Sequence, residues 1–198
     1  MQRRPLTAHS TYARIVGEVA IAWNRLERRL DSLIYHYLTV DAYVAGYILG
    51  GMSNDAKSEF AKFLIKRFEK NALLREHGMH FAALFNRLRE NRNILEHAEP
   101  DSYSERYHGR IFKRNKQGFE IEFDAPIPCL KSLLKTMQEA GPYARWLTFC
   151  LYMQANEEFD GFEGGPTTAE AALKVLAKID RPLLPDKIAP IVPSKKGP

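Results

Sequence analysis

Apolar positions in the first forty residues recur in steps of four and three. Ile15, Val19, Ala22, Leu26, Leu30, Leu33 and Tyr37 share one helical face, while Arg25, Glu27, Arg28, Arg29 and Asp31 occupy the others. The spacing predicts one long helix of about seven turns, opened by Ser10 or Thr11 as N-cap. A second helix is expected over residues 41–49, ended by Gly50-Gly51. Ser53-Asn54-Asp55 forms an N-cap cluster for a third, with Phe60, Phe63, Leu64 and Phe68 as its buried side. A fourth runs from Asn71 or Leu73 to about Ala98. Its stripe is Leu74, His77, Phe81, Leu84, Phe85, Leu88, Arg92 and Leu95. Gly78 weakens it slightly, and Pro100 disfavours helical geometry at Glu99.

The period then changes. Residues 107–113 and 119–123 read as two strands. In the second, Phe119, Ile121 and Phe123 alternate with Glu120 and Glu122. Asn115-Lys116-Gln117-Gly118 is the connecting turn. A lone hairpin is marginal in water, so this one must pack on the helices or on a partner. A last large helix is expected over 128–157, with Pro128 in its first turn and Gly141-Pro142 kinking or breaking it. Residues 168–179 suggest a short helix. From Arg181 onward there are five prolines among eighteen residues, which predicts an extended or disordered arm. The fold class is therefore mainly α: an up-and-down bundle of four to five helices with one β-hairpin insertion at 106–123. The bundle occupies 1–160, followed by a linker, short helix and Pro-rich arm at 161–198.

Composition adds bounds. At 198 residues the chain can bury one real core. It is 45% hydrophobic and 27% charged, an ordinary globular mixture, and its net charge of +5 permits an anionic partner without demanding one. Cys129 and Cys150 sit in apolar helical patterns and read as reduced thiols in a cytoplasm. The basic start Met1-Gln2-Arg3-Arg4-Pro5 has no h-region after it, and no apolar run is long enough for a membrane span.

One position breaks the amphipathic rule. Arg92 falls on the fourth helix's apolar stripe, and a guanidinium there needs a partner. His97, near the predicted helix end, can exchange protons near pH 7. Five residues at 100° each place Arg92 and His97 about 140° apart on an ideal helix. Asn93 and His97 share a face instead. The two ends of the pair meet only if the last turn unwinds before Pro100, or if a second copy of the segment completes the site, which suggests a two-fold dimer.

Arg92, Asn93, three further residues and His97, late in a helix of a helical domain, resemble the motif of the HEPN superfamily. Those are dimeric helical-bundle proteins, many of them metal-independent RNases of toxin–antitoxin, CRISPR and anti-phage systems. The resemblance covers roughly residues 11–155, and Ala98 after the histidine is in keeping with it. It implies that Arg92 contacts the scissile phosphate, that His97 is general base or acid at the ribose 2′-hydroxyl, and that Asn93 orients one of them. Arg89 and Glu96 on the same helix, with Arg110 and Lys113 on the hairpin, are expected to bind substrate. The implied partners are a second copy of the chain, RNA, and an antitoxin or other protein. The chemistry stands without the family, because cleavage by the 2′-hydroxyl needs proton transfer and charge stabilisation but no metal or cofactor. The structural alternative is an ion pair of Arg92 with Glu96 or Glu27, with His97 capping helix carbonyls. A non-catalytic helical dimer that binds nucleotide, RNA or protein is the rival function.

Weaker candidates remain. His77 and His80 have a spacing open to metal, but no Cys or acid set completes it, so no metal is expected. His36 and His108 stand alone. Trp23 and Trp146 fit core or interface positions. Tyr35, Tyr37, Tyr43 and Tyr47 fit either a core or a dimer face. Arg106, Arg110, Lys113, Arg114 and Lys116 cluster around the hairpin and could grip phosphates.

Overall fold

A computed structural model of the chain describes residues 8–38, 40–100, 109–114, 117–156 and 165–191. The expectations for Arg106, Tyr107, His108, Asn115, Lys116 and the last seven residues lie outside that set. Among the described residues the chain is mainly helical. Its helices are α1 (Ala8–Tyr37), α2 (Ala42–Gly50), α3 (Asn54–Phe68), α4 (Ala72–Glu96), α5 (Ile127–Ala155) and α6 (Ala169–Leu176). Three short strands, β1 (Glu99–Pro100), β2 (Arg110–Arg114) and β3 (Glu120–Asp124), form an antiparallel sheet in the order β1-β2-β3. No described helix is long and apolar enough to cross a membrane.

Caps set the helix starts where the sequence places acceptors. Asp41 accepts from the Tyr43 N–H, Ser53 from Ala56, Asn71 from Leu73 and Leu74, and Thr168 from Ala171. α1 packs on α3, α4 and α5, and α4 also packs on α3 and α5. The core between them holds Trp23, Leu26, Leu30, Phe81, Phe85 and Leu147, all shut off from solvent.

Four expectations are corrected. The buried face of α3 is Ser58, Ala61, Leu64 and Ile65, whereas Phe63 and Phe68 are exposed. Small residues win that face because α3 lies close on α4. Ser58 Oγ donates to the Ala82 carbonyl at 3.3 Å, and a Cβ at Gly78 would meet Ile65 at 3.1 Å. Second, of the kink or break expected at Pro142, the break does not occur, and α5 continues past it as one helix. The carbonyl that loses its helix partner belongs to Gln138, and both residues are exposed, so water can satisfy it. Third, the hairpin gains a third strand. Pro100 takes the edge position, where it has no ladder bond to donate, and pairs with Ile111.

Finally, the C-terminal arm is extended but docked. Ile188 is buried, Pro190 bridges to Phe123, and Ile191 N–H donates to the Glu122 carbonyl at 2.8 Å. Asn91 holds it from α4. Its amide donates to the Asp186 carbonyl at 2.8 Å and accepts from the Ile188 N–H at 3.0 Å.

Candidate functional site

The end of α4 carries the sequence-predicted residues. Past Leu88 the buried row steps to Asn91, Ile94 and Leu95, all shielded from solvent, so Asn91 and not Arg92 takes the core position. Arg92 sits on the flank with its side chain 22% exposed, and its guanidinium carbon lies 5.8 Å from the centroid of the Trp23 ring. The stem follows the apolar surface while the charged head stays at the rim. Trp23 is itself fixed in the core against Phe85, with ring centroids 4.6 Å apart.

Arg92 is ion-paired with Glu96 one turn on, and its Nη1 donates to Asn93 Oδ1 at 3.2 Å. The helix ends at Glu96. His97 is the C-cap, with φ −110° and ψ 9°, so the last helical residue, Glu96, comes two residues before the expected stop at Ala98. Its Nε2 comes 3.7 Å from Glu96 Oε2, the same oxygen that pairs with Arg92. The 140° separation expected on a straight helix is bridged within one chain by the Glu96 carboxylate, which Arg92 and His97 both approach. From β2, Lys113 Nζ donates to the Asn93 carbonyl at 3.0 Å. Arg92, Asn93, Glu96, His97 and Lys113 thus gather at one place.

Two expected substrate-binding residues are engaged elsewhere. Arg89 pairs with Asp55 at the start of α3, at 2.6 Å, and Arg110 pairs across the hairpin with Glu122 at 2.8 Å. The gathered cluster is open, with His97 61% and Glu96 42% exposed at the side chain. It offers one permanent cation, one carboxylate, one imidazole and one ammonium to a polar ligand. A phosphate would compete with Glu96 for Arg92.

The other candidates resolve into packing. His77 is buried, and its Nδ1 lies 3.0 Å from the Tyr143 hydroxyl, which donates to the His77 carbonyl at 3.1 Å. That hydroxyl has one proton, so the ring nitrogen is the donor in the first contact. Burial lowers the His77 pKa. His80 bonds the Pro182 carbonyl at 2.9 Å. Among the described residues no group of three or more His, Cys, Asp or Glu could hold a metal ion. Cys129 and Cys150 are free thiols, and burial pushes Cys150 up to about 11. Tyr37 donates to Glu69 at 2.9 Å, whereas Tyr43 and Tyr47 are 91% and 88% exposed.

Sequence reasoning passed over one concavity. A groove of about 700 Å³ lies between α1 and α5, lined by Arg25, Arg28, Arg29 and Arg145. The available signal was the i, i+3, i+4 repeat of arginines on α1. No residue of the α4 cluster lines this groove, nor a second of about 790 Å³ between α5 and the C-terminal arm. No family model matches the chain, and neither a curated protein nor a solved structure matches it.

Proposed function

We propose that this chain is a HEPN-like, metal-independent endoribonuclease, a cytoplasmic toxin or defence component built on an up-and-down helical bundle of four to five helices. The observation that carries the reading is the convergence of Arg92 and His97 on one oxygen of Glu96, at a solvent-open helix end. In the proposed reaction the ribose 2′-oxygen attacks phosphorus, the P–O5′ bond breaks, and a 2′,3′-cyclic phosphate and a 5′-hydroxyl result. His97 takes the 2′-hydroxyl proton or protonates the leaving 5′-oxygen. Arg92, exchanged from Glu96 onto the phosphate, offsets the charge that develops there. Asn93 holds the Arg92 head, and Lys113 anchors the hairpin over the same helix end.

One histidine performs one proton transfer at a time, so a second copy across a two-fold axis supplies the other. What supports a homodimer is the apolar face of α2, where Tyr43, Val44, Tyr47 and Ile48 are all exposed. RNA is then the substrate, and an antitoxin or other protein is the regulatory partner.

A second reading has its own support. Arg92 is already satisfied by Glu96 and stacked on Trp23, as a purely structural arginine would be. The chain is then a non-catalytic helical dimer that binds nucleotide, RNA or protein. One experiment separates the two. Pure protein is incubated with RNA in EDTA beside His97→Ala and Arg92→Ala. The ribonuclease reading expects each variant to lose roughly 10²–10⁴-fold in rate. A parent that cuts no better than the variants eliminates that reading.

A further inference from the structure

We propose that the groove between α1 and α5 binds a single nucleic-acid strand through its phosphates, at a site separate from the α4 cluster. The choice of RNA as that strand rests on the ribonuclease reading; the phosphate chemistry does not. Four arginines line the groove, Arg25, Arg28 and Arg29 from α1 and Arg145 from α5, and no acidic residue lines it with them. Among the described residues none of these four has an ion-pair partner. The nearby acids of α1 are engaged with α3 instead, Glu27 with Asn54 and Asp31 with Lys57. Charge is therefore segregated around α1, with its acids engaged toward α3 and, toward α5, arginines whose one recorded bond is from Arg28 to the Asn24 carbonyl of its own helix. Guanidinium groups stay protonated at any working pH, so four of them in one concavity favour a bound anion, the more so at low salt.

The layout favours a strand over a compact ion. Arg25 and Arg29 are one turn apart, a rise of about 6 Å along α1, so the donors form a row with Arg145 on the facing wall. Ser32 extends the same row by nearly one more turn. No aromatic ring lines the groove, which leaves no platform for stacked bases. Contact is with the backbone and carries little sequence preference. Gly141 keeps the α5 wall low, and a Cβ there would meet nothing within 4 Å. The site is not an extension of the α4 cluster. Trp23, which lies under Arg92, is about 140° around α1 from Arg28.

The test is fluorescence anisotropy of a labelled twelve-nucleotide oligouridine at several salt concentrations in EDTA. The full chain carries His97→Ala so that the RNA stays intact. Adding Arg25→Ala, Arg29→Ala and Arg145→Ala together should weaken binding roughly tenfold or more. The slope of log affinity against log salt should fall by about 2, at about 0.7 per lost phosphate contact. The corresponding triple lysine variant should keep that slope. Gln138→Glu adds a carboxylate to the groove lining at an exposed helical position, so it should weaken binding with the circular dichroism melt little changed. Unchanged affinity and slope in the triple alanine variant would overturn the proposal. So would ATP or inorganic phosphate displacing the oligonucleotide at equal affinity, which would mark a compact anion site. Cleavage is scored separately on the parent chain. A parent that binds through the arginines but does not cut removes the ribonuclease and leaves the groove standing.

Discussion

Asn91 and Arg92 are consecutive residues of α4, and they do opposite things. Asn91 is 1% exposed and spends its amide on two backbone groups of the C-terminal arm. Arg92 sits at the rim, paired with an exposed glutamate one turn away and lying over a tryptophan face. The neutral residue is locked by short bonds in a place that water cannot enter. The charged residue is held by contacts that solvent and ions can exchange. A side chain that must let go of one anion to take another belongs in the second environment. A buried amide that clamps a chain segment belongs in the first. The comparison separates the part of α4 that holds the fold together from the part available for chemistry.

The sharpest way to break it is Asn91→Ala. The variant leaves the Asp186 carbonyl and the Ile188 N–H without their side-chain partners beside a buried isoleucine. Stability should fall by about 2–4 kcal/mol, and the melting temperature by about 5–15 °C. The arm keeps its bonds to β3, to His80 and to Arg87 and its pairs with Glu76 and Glu90, but loses its anchor at Asp186 and Ile188 and should become more sensitive to limited proteolysis there. A melting temperature and cleavage pattern equal to the parent's would mean that Asn91 is not a clamp.

That clamp also marks how far the sequence could be read. The helix starts at Asp41, Ser53, Asn71 and Thr168 are legible because an N-cap is a local bond between a side chain and an N–H two or three residues on, whereas Ser10 and Thr11, expected to cap α1, lie inside it. The long stripe of α1 was legible for a similar reason, since its period repeats over many turns. The face of α3 was not. Hydrophobicity ranks Phe63 and Phe68 above Ser58 and Ala61, but close approach to Gly78 on α4 reverses the order, and that approach is a tertiary fact. The docking of the arm is likewise long-range, joining residues nearly a hundred positions apart. At the candidate site, Arg92, Asn93, Glu96, His97 and Lys113 were picked out individually. The approach of Arg92 and His97 to one carboxylate is legible only as an alternative, a last turn that ends before Pro100 with Arg92 paired to Glu96, and the bond from Lys113 to the Asn93 carbonyl is not legible because it is a tertiary contact. Arg89 looked free only because Asp55, its partner, belongs to another helix.

The second test concerns a buried polar group on the same helix, and its effect should be smaller than the clamp's. Burial lowers the His77 pKa below its ordinary 6.5, the charge of Arg181 adds to this, and burial acts in the same direction on His36. Below pH 6.5 the unfolded chain takes up protons that the folded chain refuses, so unfolding is favoured there. The stabilising effect of the neutral rings is complete above pH 6.5 and is lost as pH falls from that value toward the lowered folded pKa values. The urea midpoint should therefore be lower at pH 5 than at pH 7. His77→Gln should remove part of that difference, and a midpoint that is flat or rising toward pH 5 would contradict a neutral buried His77.

The smallest stability effect is expected at Arg92 itself, which makes it the most informative about function. Arg92→Ala removes a rim ion pair, about 0.3–0.5 kcal/mol, and a cation–π contact, about 0.5–1 kcal/mol. The melting temperature should drop by about 2–4 °C, well short of the Asn91→Ala loss. Arg92→Lys goes further, because it keeps the charge and the pairing with Glu96 while losing the planar fork that grips a phosphate at two points. Under the ribonuclease reading, cleavage falls steeply in Arg92→Lys while the melting curve hardly moves. Under the structural reading, the two substitutions scale together, and neither affects anything beyond the melt. A large stability loss in Arg92→Ala, equal to that of Asn91→Ala, would erase the distinction between the two neighbours. It would place Arg92 among the groups that hold the fold, and the case for chemistry at the end of α4 would lose its premise that this arginine is free to change partners.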